Sequence, residues 1–102
     1  MNIFNNIEPI EPGNELFNTL FENSCVKLEH IYSHSFKDGE WYNQDGDEWV
    51  ILLKGEAVLE FKESKQNLSE GDYLYIKAHR LHRVVSTSAD AHWIALHVKP
   101  NS

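Results

Sequence analysis

From Cys25 to the C-terminus the chain is a succession of short runs of aliphatic, aromatic and β-branched residues, each closed by a turn signal. The runs read VKLEHIYSHSF, WVILLK, AVLEFKE, QNLSE, DYLYIKA, HRVVSTS and AHWIALHV, and between them lie Asp38-Gly39, Asp45-Gly46, Lys54-Gly55, Glu70-Gly71 and Ser88-Ala89-Asp90. A small polar residue followed by glycine supplies the backbone freedom a reversal needs, and β-branched and aromatic side chains suit a pleated, half-buried surface. Short strands at this spacing leave two architectures, an antiparallel sandwich or a barrel. No repeat, charge block or low-complexity linker interrupts the series, and 102 residues suffice for one core but not two. Residues 1–102 are therefore read as a single all-β domain.

The N-terminal segment reads differently. Residues 1–13 hold two of the three prolines and alternate isoleucine with glutamate, which suggests an extended arm. Asn14 then reads as an N-cap for NELFNTLFEN, where Leu16, Phe17, Leu20 and Phe21 fall on one helical face. The expectation is one short helix over 14–23, followed by a barrel over 25–98.

Charge and cysteine content exclude several classes of function. Sixteen acidic against nine basic residues give a net charge of −7 at pH 7, which repels both a phosphate backbone and an anionic membrane. Neither nucleic acid nor membrane is expected as a partner. No basic stretch precedes an apolar run at the N-terminus, so a cytoplasmic protein is expected. Cys25 is the only cysteine, so one chain can form neither an internal disulfide nor a multi-thiolate zinc site, and the residue reads as packing.

The chemistry gathers in WYNQDGDEWVILLKGE, residues 41–56, a strand rich enough for a core that is entered through polar side chains. If Val50 and Leu52 point inward, so does Glu48, and Gln44 follows if pairing continues through Asp45-Gly46. Later in the chain His82, Val84 and Ser86 share one face, and Trp93, Ala95 and His97 oppose His92, Ile94, Leu96 and Val98.

At these residues the chain resembles a small single-domain cupin. Glu48 is followed by Gly55 as in the family's first motif, G-x5-H-x-H-x(3,4)-E-x6-G, while Tyr42 and Gln44 stand where its two histidines would be. Gly71 opens the second motif, G-x5-P-x-G-x2-H-x3-N, with Lys77 for the proline, His79 for the glycine, His82 on the histidine and Ser86 for the asparagine. The resemblance covers roughly residues 36–98 and implies an RmlC-like double-stranded β-helix, the jelly-roll barrel. It also implies a divalent transition metal such as nickel, zinc, iron or manganese held between facing strands.

Of the four family ligands only Glu48 and His82 remain, so the expected metal set is Glu48, His82 and the neutral oxygen of Gln44, weaker than three imidazoles and a carboxylate. Tyr42, Gln44 and His97 are expected to contact a small-molecule ligand. Glu48 and His82 read equally as an acid and an imidazole paired without metal, and in either case they are the candidate catalytic residues. Two classes of function follow: a barrel that binds a small polar molecule, or a metal-dependent isomerase, lyase or dioxygenase. Asn43 reads as a loop hydrogen-bonder, His79 and Arg80 as solvated turn residues, and the three tryptophans as packing; His30 and His34 show no partner. Apolar residues on both faces of the last strand, with the Ile-rich arm, point to a homodimer made by the arm or edge strands.

Overall fold

The computed structural model describes residues 1–100. Its strands are β1 (Asn14–Glu22), β2 (Val26–His34), β3 (Glu48–Lys54), β4 (Ala57–Phe61), β5 (Lys65–Leu68), β6 (Tyr73–Ile76), β7 (His82–Thr87) and β8 (Ala91–Val98). They form a five-stranded sheet in the order β1-β2-β8-β3-β6 and a three-stranded sheet in the order β5-β4-β7. Every pairing is antiparallel. This is the expected jelly-roll barrel, with each run from Cys25 onward contributing one strand.

The short helix over 14–23 is not formed; that segment is β1. The spacing of Leu16, Phe17, Leu20 and Phe21 fits a helix, but an isolated helix of ten residues is marginal in water. The open edge of β2 offers more: β1 pairs with it from Asn14 opposite His34 to Glu22 opposite Lys27. A bulge between Thr19 and Phe21 interrupts the alternation, so Glu15 and Phe17 line the barrel interior while Phe21 pairs with Leu28. That broken period imitates a helical one. Asn14 caps nothing; its side-chain amide donates to the Glu11 carbonyl at 3.1 Å.

Alternation places Leu52, Leu59, Phe61, Ile76 and Trp93 between the sheets, all 3% exposed or less. The inward faces change character along their length. In β3 the inward residues run Glu48, Val50, Leu52, and in β8, read from its far end, His97, Ala95, Trp93, so one end of the barrel is an apolar core and the other polar.

The turn that carries the chain from β3 to β4 fixes this geometry. Gly55 has φ +88°, and a Cβ there would come within 2.5 Å of Ser88 Oγ and 2.9 Å of Ala91 Cα. Only glycine satisfies both the backbone conformation and the space.

Candidate functional site

The polar ends of β2, β3, β7 and β8 surround a cavity of about 390 Å³. Register explains why they meet. Glu48 lies directly opposite His97, and His97 opposite Lys27. Glu29 pairs with Ala95, so it stands diagonal to His97, a separation that long side chains span. The other wall is β7, joined to the loop before β3 by a two-residue bridge in which Tyr42 N–H donates to the His82 carbonyl at 2.7 Å. Tyr42 and Gln44 line the cavity although β3 begins only at Glu48, so Gln44 reaches it through the loop and not by continued pairing.

Glu48 and His82 are 7% and 6% exposed, and Glu48 Oε1 lies 3.7 Å from His82 Nε2. His82 Nδ1 is 2.9 Å from the Arg80 carbonyl, which can only accept, so Nδ1 carries a proton. Nε2 therefore faces the Glu48 carboxyl group as a bare nitrogen when the ring is neutral and as the second N–H when it is an imidazolium. Burial pushes the His82 imidazole down, but the Glu48 carboxylate and the Arg80 carbonyl outweigh it and hold its pKa above the ordinary value.

A second acid–imidazole pair, which the sequence reading missed, lies beside the first. His97 Nε2 donates to Glu29 Oε1 at 2.9 Å, and the other Glu29 oxygen lies 3.5 Å from the Lys27 ammonium. Glu15 of β1 also lines the cavity, held by the Ser33 hydroxyl at 2.5 Å, while that oxygen accepts from Trp93 Nε1 at 3.1 Å. Burial raises the Glu15 carboxyl, against the Ser33 hydrogen bond. Burial likewise raises the Tyr42 phenol, helped by the nearby acidic side chains, so it stays protonated. Lys27 and Glu29 were legible as alternate residues of VKLEHIY, on the same face as Ile31. Glu15 was hidden by the helical reading of its segment.

Other singled-out residues lie elsewhere. Asn43 Oδ1 accepts from His79 Nδ1 at 2.9 Å, and Arg80 stacks on the Phe61 ring at 3.8 Å while binding Glu63. His30 does have a partner: its Nε2 lies 3.0 Å from His92 Nδ1 on the outer face of the sheet, and Phe4 of the arm packs edge-on to His92 at 5.1 Å.

The cupin domain model matches residues 31–97, two thirds of the chain, on a two-sheet barrel with this cavity between the sheets. The chain is a cupin. No curated protein matches it. Among solved structures this cupin is similar to a protein from Ralstonia eutropha JMP134 provisionally named a mannose-6-phosphate isomerase, with 31% identity over 97% of this chain and 96% of the other, at a TM-score of 0.85. A cupin superfamily protein from Desulfitobacterium hafniense shares 24% identity over 89% and 83%, at TM-score 0.73. KdgF from Halomonas sp. shares 19% over 100% and 94%, at TM-score 0.80. The last two likenesses are of fold alone.

Cupins commonly hold a divalent metal, and the donor set of this one differs from the four-ligand site of its family. Glu48 and His82 converge, Gln44 lines the same cavity, and His97 is engaged with Glu29. Among the described residues no group of three or more His, Cys, Asp or Glu side chains is arranged to hold a metal ion. The side chains present do not fit a three-histidine, one-carboxylate centre. Among the described residues no helix is long and apolar enough to cross a membrane.

Proposed function

We propose that this cupin binds a small polar molecule in its barrel cavity, held by Glu48 and His82 and bordered by Tyr42, Gln44 and His97. The observation that carries the reading is the Glu48–His82 pair, two buried ionisable groups converging at 3.7 Å on a cavity of about 390 Å³. That volume lies in the ordinary range of small-molecule sites, and a few convergent polar groups over apolar walls are what such sites use to orient a ligand. Here Val50, Leu59, Ile76 and Val84 supply the apolar wall.

The charge on the lining narrows the ligand. Glu15, Glu29 and Glu48 face one lysine, Lys27, so a phosphate or carboxylate group entering the cavity meets more acid than base. A neutral, hydroxyl-bearing or cationic molecule suits the lining better. A carboxyl group and an imidazole converging on one cavity can exchange a proton with a bound hydroxyl or with the carbon next to a carbonyl, which is why the same two residues are the candidates for acid–base catalysis. A lone cysteine and the acidic surface support a cytoplasmic setting.

A titration followed by amide NMR, with myo-inositol, cyclohexylamine and glucose 6-phosphate as probes, tests the reading. Inositol or the amine is expected to shift resonances of β3, β7 and β8 at millimolar concentration, with the response lost in Glu48→Gln. Binding of the phosphate alone, or of none of the three, sinks it.

A second reading is a weakly held divalent ion at Glu48, His82 and Gln44, favoured by the convergence of these three on one cavity. Elemental analysis after growth with nickel, zinc, iron and manganese decides it: stoichiometric metal that disappears in His82→Ala supports the ion.

A further inference from the structure

The lip of the cavity, residues 41–47, belongs to no strand, yet it delivers Tyr42 and Gln44 to the cavity wall while Asn43, between them, stays outside it. Both ends of the lip are anchored. Tyr42 exchanges backbone hydrogen bonds with His82 at 2.7 and 3.3 Å. The Asp47 carboxylate accepts from the Ala78 N–H at 2.8 Å and from the Tyr75 hydroxyl at 2.6 Å, and the Asp47 carbonyl accepts from the Val98 N–H at 2.8 Å. Between these anchors the lip is held by His79, which does not itself line the cavity. Its backbone N–H donates to the Gln44 carbonyl at 2.7 Å, its Nδ1–H donates to Asn43 Oδ1 at 2.9 Å, and its Nε2 lies 4.0 Å from Asp45 Oδ1. Three consecutive lip residues thus face one residue of the loop before β7.

His79 makes these contacts from a left-handed backbone conformation, φ +66°. Glycine adopts that conformation freely, whereas a side chain is disfavoured there by contact between Cβ and the backbone. The imidazole adds little to the core, because the side chain is 63% exposed. A large side chain kept in a disfavoured conformation without burial is accounted for by what its ring holds, which is Asn43. We infer that His79 is a positioning residue for the cavity: by fixing Asn43 on the outside it sets the register of the lip, and so presents Tyr42 and Gln44 to a ligand. A one-residue slip in an extended segment reverses which side chains face inward. Here it would bring Asn43 or Asp45 into the wall in place of Gln44. The ligand part of this role rests on the reading of the cavity as a small-molecule site; the clamp itself does not.

Two variants of the full chain test the inference. His79→Gly removes the ring and suits the backbone, and Asn43→Ala removes the ring's partner, so both fold, checked by circular dichroism. One hydrogen bond between neutral groups shifts a local equilibrium about two- to tenfold. In both variants the amide of residue 79, bonded to the Gln44 carbonyl, is expected to lose hydrogen-exchange protection by that factor, and the Gln44 side-chain amide resonances to broaden or split. The Val98 amide, at the far anchor, keeps its protection, and the urea midpoint of His79→Gly does not fall. Affinity for myo-inositol or cyclohexylamine should drop by about two- to tenfold in either variant, with the double variant no worse than a single one. Unchanged protection at residue 79 in both variants overturns the inference, as does a loss that tracks a lowered urea midpoint, which is a purely structural effect. Full probe affinity in variants with a loosened lip overturns it too. A loosened lip in a chain that binds neither probe supports the clamp and sinks the ligand reading instead.

Discussion

His82 and the His30–His92 pair respond to pH in opposite directions. His82 has a raised folded pKa, so its contribution to stability is complete below its unfolded value of about 6.5 and is lost as pH rises through the folded value. His30 and His92 are lowered, His30 by burial and His92 by burial together with His30 and Lys54, against Asp90. Two neutral rings sharing a hydrogen bond cannot both be charged in place, so their contribution is complete above about 6.5 and is lost as pH falls through the folded value. Urea titrations at about pH 5 and pH 8 should therefore show that His30→Leu/His92→Leu flattens the acid-side loss of stability. An unchanged acid slope would mean that other groups carry it. In Glu48→Gln the His82 titration, read from its ring protons by NMR, is expected to move to lower pH, because the carboxylate that raises it is gone while burial remains.

At the scale of elements, the glycine turn and the core make separate demands. Gly55→Ala places a Cβ against Ser88 and Ala91 at a positive φ and should cost at least about 1–2 kcal/mol, measured by chemical denaturation. Phe61→Ala, in β4, removes a ring that is 1% exposed and should cost about 3–5 kcal/mol. The β strands were legible because their period of two is enforced by burial on one side, as Val50 and Leu52 or Trp93 and Ala95 demonstrate. The β1 strand was not, because the bulge at Thr19 breaks that period and its tertiary partner, the edge of β2, is invisible to local propensity. The same limit applied to the site. Glu48, His82 and His97 could be assigned to one interior from strand parity, yet which carboxylate binds which imidazole depends on register, and His97 met Glu29 where parity alone offered Glu48. Tyr42 and Gln44 sit in a loop with no period at all, and their place in the cavity wall follows from the bridge to His82.

Over the whole molecule, pairings join segments far apart in sequence: β2 with β8, β3 with β8 and β4 with β7. Long loops must close before most of these pairings form, so refolding is expected on the millisecond-to-second scale of non-local β-proteins, with stopped-flow tryptophan fluorescence as the readout. A microsecond phase carrying the full amplitude would contradict this. The same topology leaves β1 at one edge of the large sheet, paired with β2 alone, and it delivers Glu15 into the cavity. One wall of the pocket is thus an outlying strip joined to the barrel along one seam. Such a strip can be rewritten residue by residue without unsettling the scaffold behind it, so a descendant of this chain could acquire a different ligand by changing its first strand alone.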